Sequence, residues 1–438
     1  METSIIDGVD KVILDCKGDL HSSATHPGFI NIHKRRLCPG SLREYQRIRT
    51  PGAEAANEDF VLIPEVFESS ACLRYLGLSD AKAEQIWQQW DRANPAYKRY
   101  HSAKDVAIRH IRSAGSLARD TDSLNDHHWH DLLSTIGVNP EFQRNLMLPH
   151  YKNIRTTNTC KYWVEYFFNH RLNTLLEIRD YSYERITYSP TDMLRRGMGP
   201  EASFCPWKDD QERSGFVTLW AGRSTNRNNG FELDWDAWKI RNWAGLRSEA
   251  RDFTTGGSQG VYFTSQRDVA LHDIAWHKTN DPNANFALFR VQVPKAELES
   301  LKNGEEKVEL LTTDKNWQPV VYSNRKSLPA ICSNPDHPAK ETRTALLIHG
   351  HVARGSDTID LGATEGLSLG NRVSKVSRKP YLNRDGKPAL QYAFRMWHPK
   401  FSSFASKAFE NHEVAYIDSA DVAEIERRWD IATRGTST

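Results

Sequence analysis

The sequence predicts an α+β protein, with an α-helical N-terminal region followed by a mixed α+β domain. Three observations carry this expectation. Apolar residues recur at spacings of three and four through much of residues 60–180. Pro190, Gly197, Gly199, Pro200 and Pro206 then interrupt the pattern. Beyond them come short apolar runs bounded by Gly and Pro, which read as strands. A chain of 438 residues suffices for two or three domains at roughly 150 residues each. The expected division is a flexible arm over 1–45, a mainly helical domain over 46–200 and an α+β domain over 210–438.

Within the arm, Val12-Ile13-Leu14 reads as a short strand, and His33-Lys34-Arg35-Arg36 with Arg43, Arg47 and Arg49 as a solvated basic run. In the helical region, Asp80 is expected to cap a helix that runs to Trp90, and a second helix spans Lys104 to Ser113. The clearest helix runs from Thr159 to Arg179, with Trp163, Val164, Phe167, Phe168, Leu172, Leu175, Leu176 and Ile178 forming a stripe that needs a core. Among the strands, Phe216–Trp220 is expected to end at Gly222, and Gly260–Thr264 follows a glycine pair. Phe286–Val293 ends at Pro294, Val320–Tyr322 starts behind Pro319, and Thr344–Ile348 and Glu413–Ile417 are shorter. A last helix is expected over Ala420–Trp429.

Composition excludes several classes. With 13 Trp, 15 Tyr and 17 Phe the chain is too aromatic for a mostly disordered protein. No run approaches the ~18 apolar residues of a transmembrane helix, so no membrane association is expected. A net charge of +2 is too balanced for a surface that binds nucleic acid all over. Six scattered cysteines without C-x-x-C spacing read as reduced thiols. Met1–Asp10 carries three acids and no apolar run, so neither a secretory signal nor a transit peptide is expected, and the location expected is cytoplasmic or nuclear.

Local motifs for common chemistries are weak. Asp126-His127-His128-Trp129-His130-Asp131 has metal-ligand residue types but lacks H-E-x-x-H, and His349-Gly350-His351 reads as a polar strand end. No metal is predicted. The two G-x-S-x-G matches, at 256–260 and 366–370, lack the strand–Ser–helix order of a nucleophile elbow. Arg372, Lys375, Arg378, Lys379, Arg384 and Lys387 surround Tyr381; contact with nucleic-acid phosphates is the functional reading, and a solvated loop the plainer one.

Three segments in fixed order carry the most information. They are Leu219-Trp220-Ala221-Gly222-Arg223-Ser224, then Gly260-Val261-Tyr262-Phe263-Thr264-Ser265 followed by Asp268-Val269-Ala270, then His412-Glu413-Val414-Ala415-Tyr416. Together they resemble the ADP-ribosyltransferase fold, especially its poly(ADP-ribose)-polymerase-like branch. There the motifs read like L-W-H-G-S, G-I-Y-F-A with a small-residue helix after it, and N-E-Y-x-x-Y. The resemblance covers the C-terminal half only.

What the resemblance implies is transfer of ADP-ribose from NAD, a glycosyl transfer, to an unknown acceptor, expected to be a protein. Breaking the nicotinamide–ribose bond creates an oxocarbenium-like ribose, which a carboxylate stabilises; by resemblance this is Glu413. Tyr262 would stack on nicotinamide. Gly222 would offer backbone groups at close approach, and Arg223, Thr264 and Ser265 would contact the cofactor nearby. The chain also departs from the family: Ala221 stands where the histidine is, and Val414 where a tyrosine is. A second reading therefore stays open, a catalytically inactive module of the same fold acting in protein–protein interaction.

Overall fold

The computed structural model of the chain describes residues 60–115, 126–187, 213–225, 260–325, 344–353, 380–417 and 419–435, with shorter pieces within 4–33, 232–253 and at 342. Val12–Leu14, the basic residues 34–49, both G-x-S-x-G glycine loops and residues 372–379 lie outside the described residues, the end glycine at 260 excepted.

Leu20–Ser22 (β1), Phe29–His33 (β2) and Phe60–Pro64 (β3) form an antiparallel sheet in the order β1-β2-β3. Two of these strands fall in the segment expected as a loose arm. Their pairing with β3 buries Leu20, Ile30, Ile32 and Ile63, which gives the segment a reason to be ordered.

The helices Ser70–Tyr75 (α1), Asp80–Asp91 (α2), Pro95–Tyr100 (α3), Ala103–Ser113 (α4), Asp126–Ile136 (α5), Pro140–Leu146 (α6), Lys152–Arg155 (α7) and Cys160–Thr187 (α8) follow. Short polar side chains set their starts. Ser79, rather than Asp80, caps α2: its hydroxyl accepts the Lys82 N–H, and Asp80 becomes the first helical residue, where its charge favours the helix dipole. Asn94 and Asn139 cap α3 and α6, each with Pro behind it. Ser102 and Asp105 form a reciprocal capping box on α4. Along α8 the expected stripe is the buried one, with Trp163, Val164, Phe167, Phe168, Leu175 and Ile178 inside, and the helix continues to Thr187. Cys72 and Cys160 are buried free thiols; burial, and then the charge of Glu68, pushes the Cys72 thiol up to about 12, which makes it inert.

The second half is built on strands Phe216–Ser224 (β4), Glu232–Asp234 (β5), Lys239–Asn242 (β6), Arg247–Ser248 (β7), Gly260–Thr264 (β8), Phe286–Pro294 (β9), Lys307–Leu310 (β10), Leu347–His351 (β11), Leu390–Arg395 (β12) and His412–Ile417 (β13). The main sheet runs β10-β11-β12-β8-β4-β9-β13, with β7 also on β8; β10 and β11 are parallel and the other pairs antiparallel. Its helices are Arg267–Asn280 (α9), Lys295–Glu299 (α10), Trp317–Arg325 (α11), Phe401–Ala408 (α12) and Ser419–Gly435 (α13). Leu219, Ala221, Val261, Phe263, Phe289 and Val414 face one side, with α10 and α12. Trp220, Leu288 and Ala415 face the other, with α9 and α13. Tyr262 and Ala393 continue that side toward α11. The fold is therefore α+β, with helices on both faces of a mostly antiparallel sheet.

Three expectations are corrected. Val320–Tyr322 is helical, inside α11, because Trp317, Val320 and Val321 fall at helical spacing and are all fully buried. Pro319 costs nothing there, since the first intrahelical bond is donated by Val320, to Asn316 O at 3.1 Å. β4 runs through Gly222 to Ser224, because its pairing with β9 continues to Ser224↔Phe286. The strand expected at Thr344–Ile348 lies at Leu347–His351. No described helix is long and apolar enough to cross a membrane.

The helical region and the sheet share one apolar cluster, which includes Phe167, Phe168, Trp163, Trp276, Ile274, Leu288 and Trp429. Polar contacts fix the join. Asp281, at the C-terminal end of α9, accepts two bonds on Oδ2, from His170 Nδ1 and Thr174 Oγ1, each at 2.7 Å. A carboxylate only accepts, so His170 carries its proton on Nδ1. Arg171 donates to Asn280 O at 2.8 Å, placing a cation at the α9 C-terminus. Tyr151 donates to Glu426 on α13 at 2.7 Å. Burial alone would raise the Asp281 carboxyl, but His170, Arg171 and Thr174 outweigh it and hold it below the usual carboxylate value. Asp281→Ala leaves His170 and Thr174 facing a dry gap and is expected to cost about 3–5 kcal/mol in denaturant unfolding. Because the folded pKa is depressed, the contribution is full above about pH 4 and is lost as pH falls through the folded value. The gap between wild type and variant therefore narrows in acid.

Candidate active-site cleft

Strand β8 has two neighbours on the edge away from β12. β4 pairs with it at Trp220↔Thr264, and β7 pairs at Ser248↔Gly260 and Arg247↔Val261. Between these contacts the edge beside Tyr262 is taken by a side chain: Arg223 donates to Gly222 O at 2.6 Å and to Tyr262 O at 3.0 Å. The sheet opens here, and a cleft of about 850 Å³, counting its open mouth, lies at the opening.

Four sequence candidates line this cleft: Gly222, Arg223, Tyr262 and Thr264. Tyr262 is almost fully buried and its hydroxyl accepts the Phe253 N–H at 3.2 Å, so the ring is held at both ends. The Thr264 hydroxyl accepts the Gln266 N–H at 3.1 Å and keeps its own proton for donation. Gly222 has a different reason for its missing side chain than close approach of a ligand. A Cβ there would stand 2.4 Å from Ile274 Cγ1 and 2.7 Å from Ala270 O, so the glycine lets α9 pack on β4.

Glu413 and Ser265 are not among the lining residues. Registers place Thr264, Trp220, Arg290 and Glu413 in one cross-strand row, so Glu413 shares the sheet face of Tyr262. It sits three strand spacings, about 14 Å, from Thr264. Its carboxylate is paired with the Arg290 guanidinium, which lies 6.0 Å from the Trp220 ring centre. Ser265 faces the Tyr392 phenol, whose proton affinity burial raises and Ser265 partly lowers. Ala221 borders the cleft, while its side chain packs into the cluster on the opposite face of β4 with Phe289 and Phe263.

The cleft contains groups the sequence did not single out. Asp252 is buried and its Oδ2 accepts from Ala353 N at 2.7 Å and Gln391 Nε2 at 3.0 Å. Asp273 reaches the cleft from α9, one turn after Val269 and Ala270. Tyr162 and Trp163 come from α8, so the helical region supplies one wall. The Trp163 stripe signalled burial, but nothing in the pattern said which cavity its neighbours would line. Tyr381 closes another side; its hydroxyl is 2.8 Å from His272 Nδ1. Burial, and then the charge of Asp268 and Asp273, pushes the phenol well above its ordinary value, while burial keeps His272 neutral.

Elsewhere, His127 and Asp131 are exposed on α5, and Asp126 is paired with Lys152 and Arg155. His349 stacks on Tyr392 and His351 Nδ1 accepts from Thr312 N. Among the described residues no three His, Cys, Asp or Glu side chains converge to hold a metal.

Comparison with known proteins gives no match to a family model, a curated protein or a solved structure.

Two outcomes follow from this geometry. Gly222→Ala is expected to destabilise the protein by about 1–3 kcal/mol through overpacking against Ile274, read as a lower denaturant midpoint. Glu413→Gln is expected to leave the affinity of any cleft ligand within twofold, because the carboxylate is outside the cleft.

Proposed function

We propose that the cleft binds NAD and that the chain is an ADP-ribosyltransferase-like binding module acting through a protein partner. The observation that carries this reading is the meeting of Gly222, Arg223, Tyr262 and Thr264 at one opening in the sheet. The donor set fits a nicotinamide end. Tyr262 offers a fixed ring for stacking, and the Thr264 hydroxyl and Gln391 amide offer hydrogen bonds to a carboxamide. The fork of Arg223 is spent on two backbone carbonyls, and Ala221 has no polar group, so the ribose contact of the family's histidine has no counterpart on β4. Glu413, paired with Arg290, stands away from the ring-binding end. These features favour binding over transfer.

A second reading, ADP-ribosyl transfer to a protein, is favoured by one observation. Asp273 brings a carboxylate into the cleft, and a carboxylate beside ribose stabilises the cation formed when nicotinamide departs.

Titration of the purified chain with NAD, followed by assay of nicotinamide release, tests both. The expected result is saturable binding, weakened about tenfold by Tyr262→Leu, which keeps buried bulk and removes the stacking ring. No release is expected. Release that Asp273→Asn abolishes would decide for transfer. Absence of saturable binding by folded protein would overturn the NAD reading.

A further inference from the structure

A second cavity lies on the other side of the first turns of α9, lined by Arg267, Asp268, Leu271, Arg384, Asp385, Ile425, Arg428 and Trp429. Its three arginines come from three distant stretches: the first residue of α9, the loop before β12, and α13. Specific contacts hold each stretch. Asp268 Oδ2 accepts the Arg384 N–H at 2.9 Å, which ties the loop to α9. Asn383 Oδ1 accepts from Asp385 N and Lys387 N, and Gly386 takes a φ of 75°, so the loop is a defined turn. Glu424 Oε1 accepts from Arg428 Nε at 2.6 Å and orients that guanidinium. Trp429, at the floor, stacks on His272 with ring centres 3.6 Å apart.

We propose that this cavity is a binding site for a phosphate group on a small ligand, separate from the NAD cleft and independent of that reading. Guanidinium forks match the oxygens of a phosphate in pairs, and three from separate elements surround an anion better than a single run of basic residues does. Arg384 belongs to the basic stretch noted in the sequence, so the fold gives one described member of that stretch a place in a cavity. Asp268 and Asp385 set the size of the ligand. Three arginines against two aspartates leave an excess of one positive charge among the lining residues, with the Glu424 carboxylate also held on Arg428, which suits one compact phosphate and is too little positive charge to hold the extended backbone of a nucleic acid. One face of Trp429 is covered by His272, so the site is built for the phosphate more than for a base.

The test titrates the full chain with inorganic phosphate and with pyrophosphate at low and moderate salt, beside a single-stranded oligonucleotide. The expected result is saturable binding that weakens with salt. Arg384→Gln and Arg428→Gln each lower affinity about tenfold or more, and Asp385→Asn raises it several-fold. The thermal midpoint of the free Arg384→Gln protein should stay near wild type, because that side chain is exposed. Absence of saturable phosphate and pyrophosphate binding overturns the proposal, as does binding that Arg384→Gln leaves unchanged. Oligonucleotide binding that exceeds pyrophosphate binding and is lost in Arg384→Gln overturns it in favour of a nucleic-acid contact.

Discussion

Helix α9 must be dry on nearly every side, and the rest of the structure follows from that constraint. It lies between the sheet and the N-terminal helices, with Ala270, Leu271, Ile274, Ala275 and Trp276 buried beside His272, His277, Lys278 and Asn280. A polar group moved out of water must find a partner or cost several kcal/mol. Each of these side chains has at least one: Lys278 donates to Ala284 O, Asn280 to Trp276 O, His272 meets Tyr381, and His277 meets Asp273 O, while the second polar atoms of His272 and Asn280, Nε2 and Oδ1, find none among the described residues. Asp281 then ends the helix and draws His170 and Thr174 of α8 onto it. The helical region is thereby part of the same core as the sheet.

The same helix shapes the cleft. α9 can lie this close to β4 only because position 222 has no side chain. Its one face then carries Val269, Ala270 and Asp273 to the cleft, while its first residues face the arginine-lined cavity. The opening of the sheet between β4 and β8 leaves the edge at Tyr262 short of a strand, and Arg223 fills that place with its guanidinium. An unpaired carbonyl in a buried position would be costly, so Arg223 is first a structural residue of the cleft and only then a candidate contact.

Much of the fold was legible in the residues. Alternation and punctuation by Gly and Pro located β8, β9 and β13, and helical spacing located α2, α4 and α8, because each buries a stripe whose period is written in the sequence. Val320–Tyr322 misled for a definite reason. A short β-branched run behind a proline fits a strand start and a helix first turn equally well, and Trp317, three residues before Val320, decided for the helix by burial. Gly222 misled in the same way: a glycine can stop a strand or admit a close neighbour, and only the position of Ile274 tells which.

By itself the sequence determined the α+β class, most elements of the main sheet's centre, and four residues that meet at one cleft. The class and the elements follow from local periodicity, and the four residues from the resemblance of three short motifs to the ADP-ribosyltransferase fold. Tertiary structure decided the rest. Strand order set Glu413 two strands beyond β4 and gave it to Arg290, and α9 brought Asp273 to the cleft. The fold also closed three distant arginines around a second cavity. Such placements depend on which long-range pairings bury the most apolar surface without stranding a polar group, and no stretch of sequence holds that information alone.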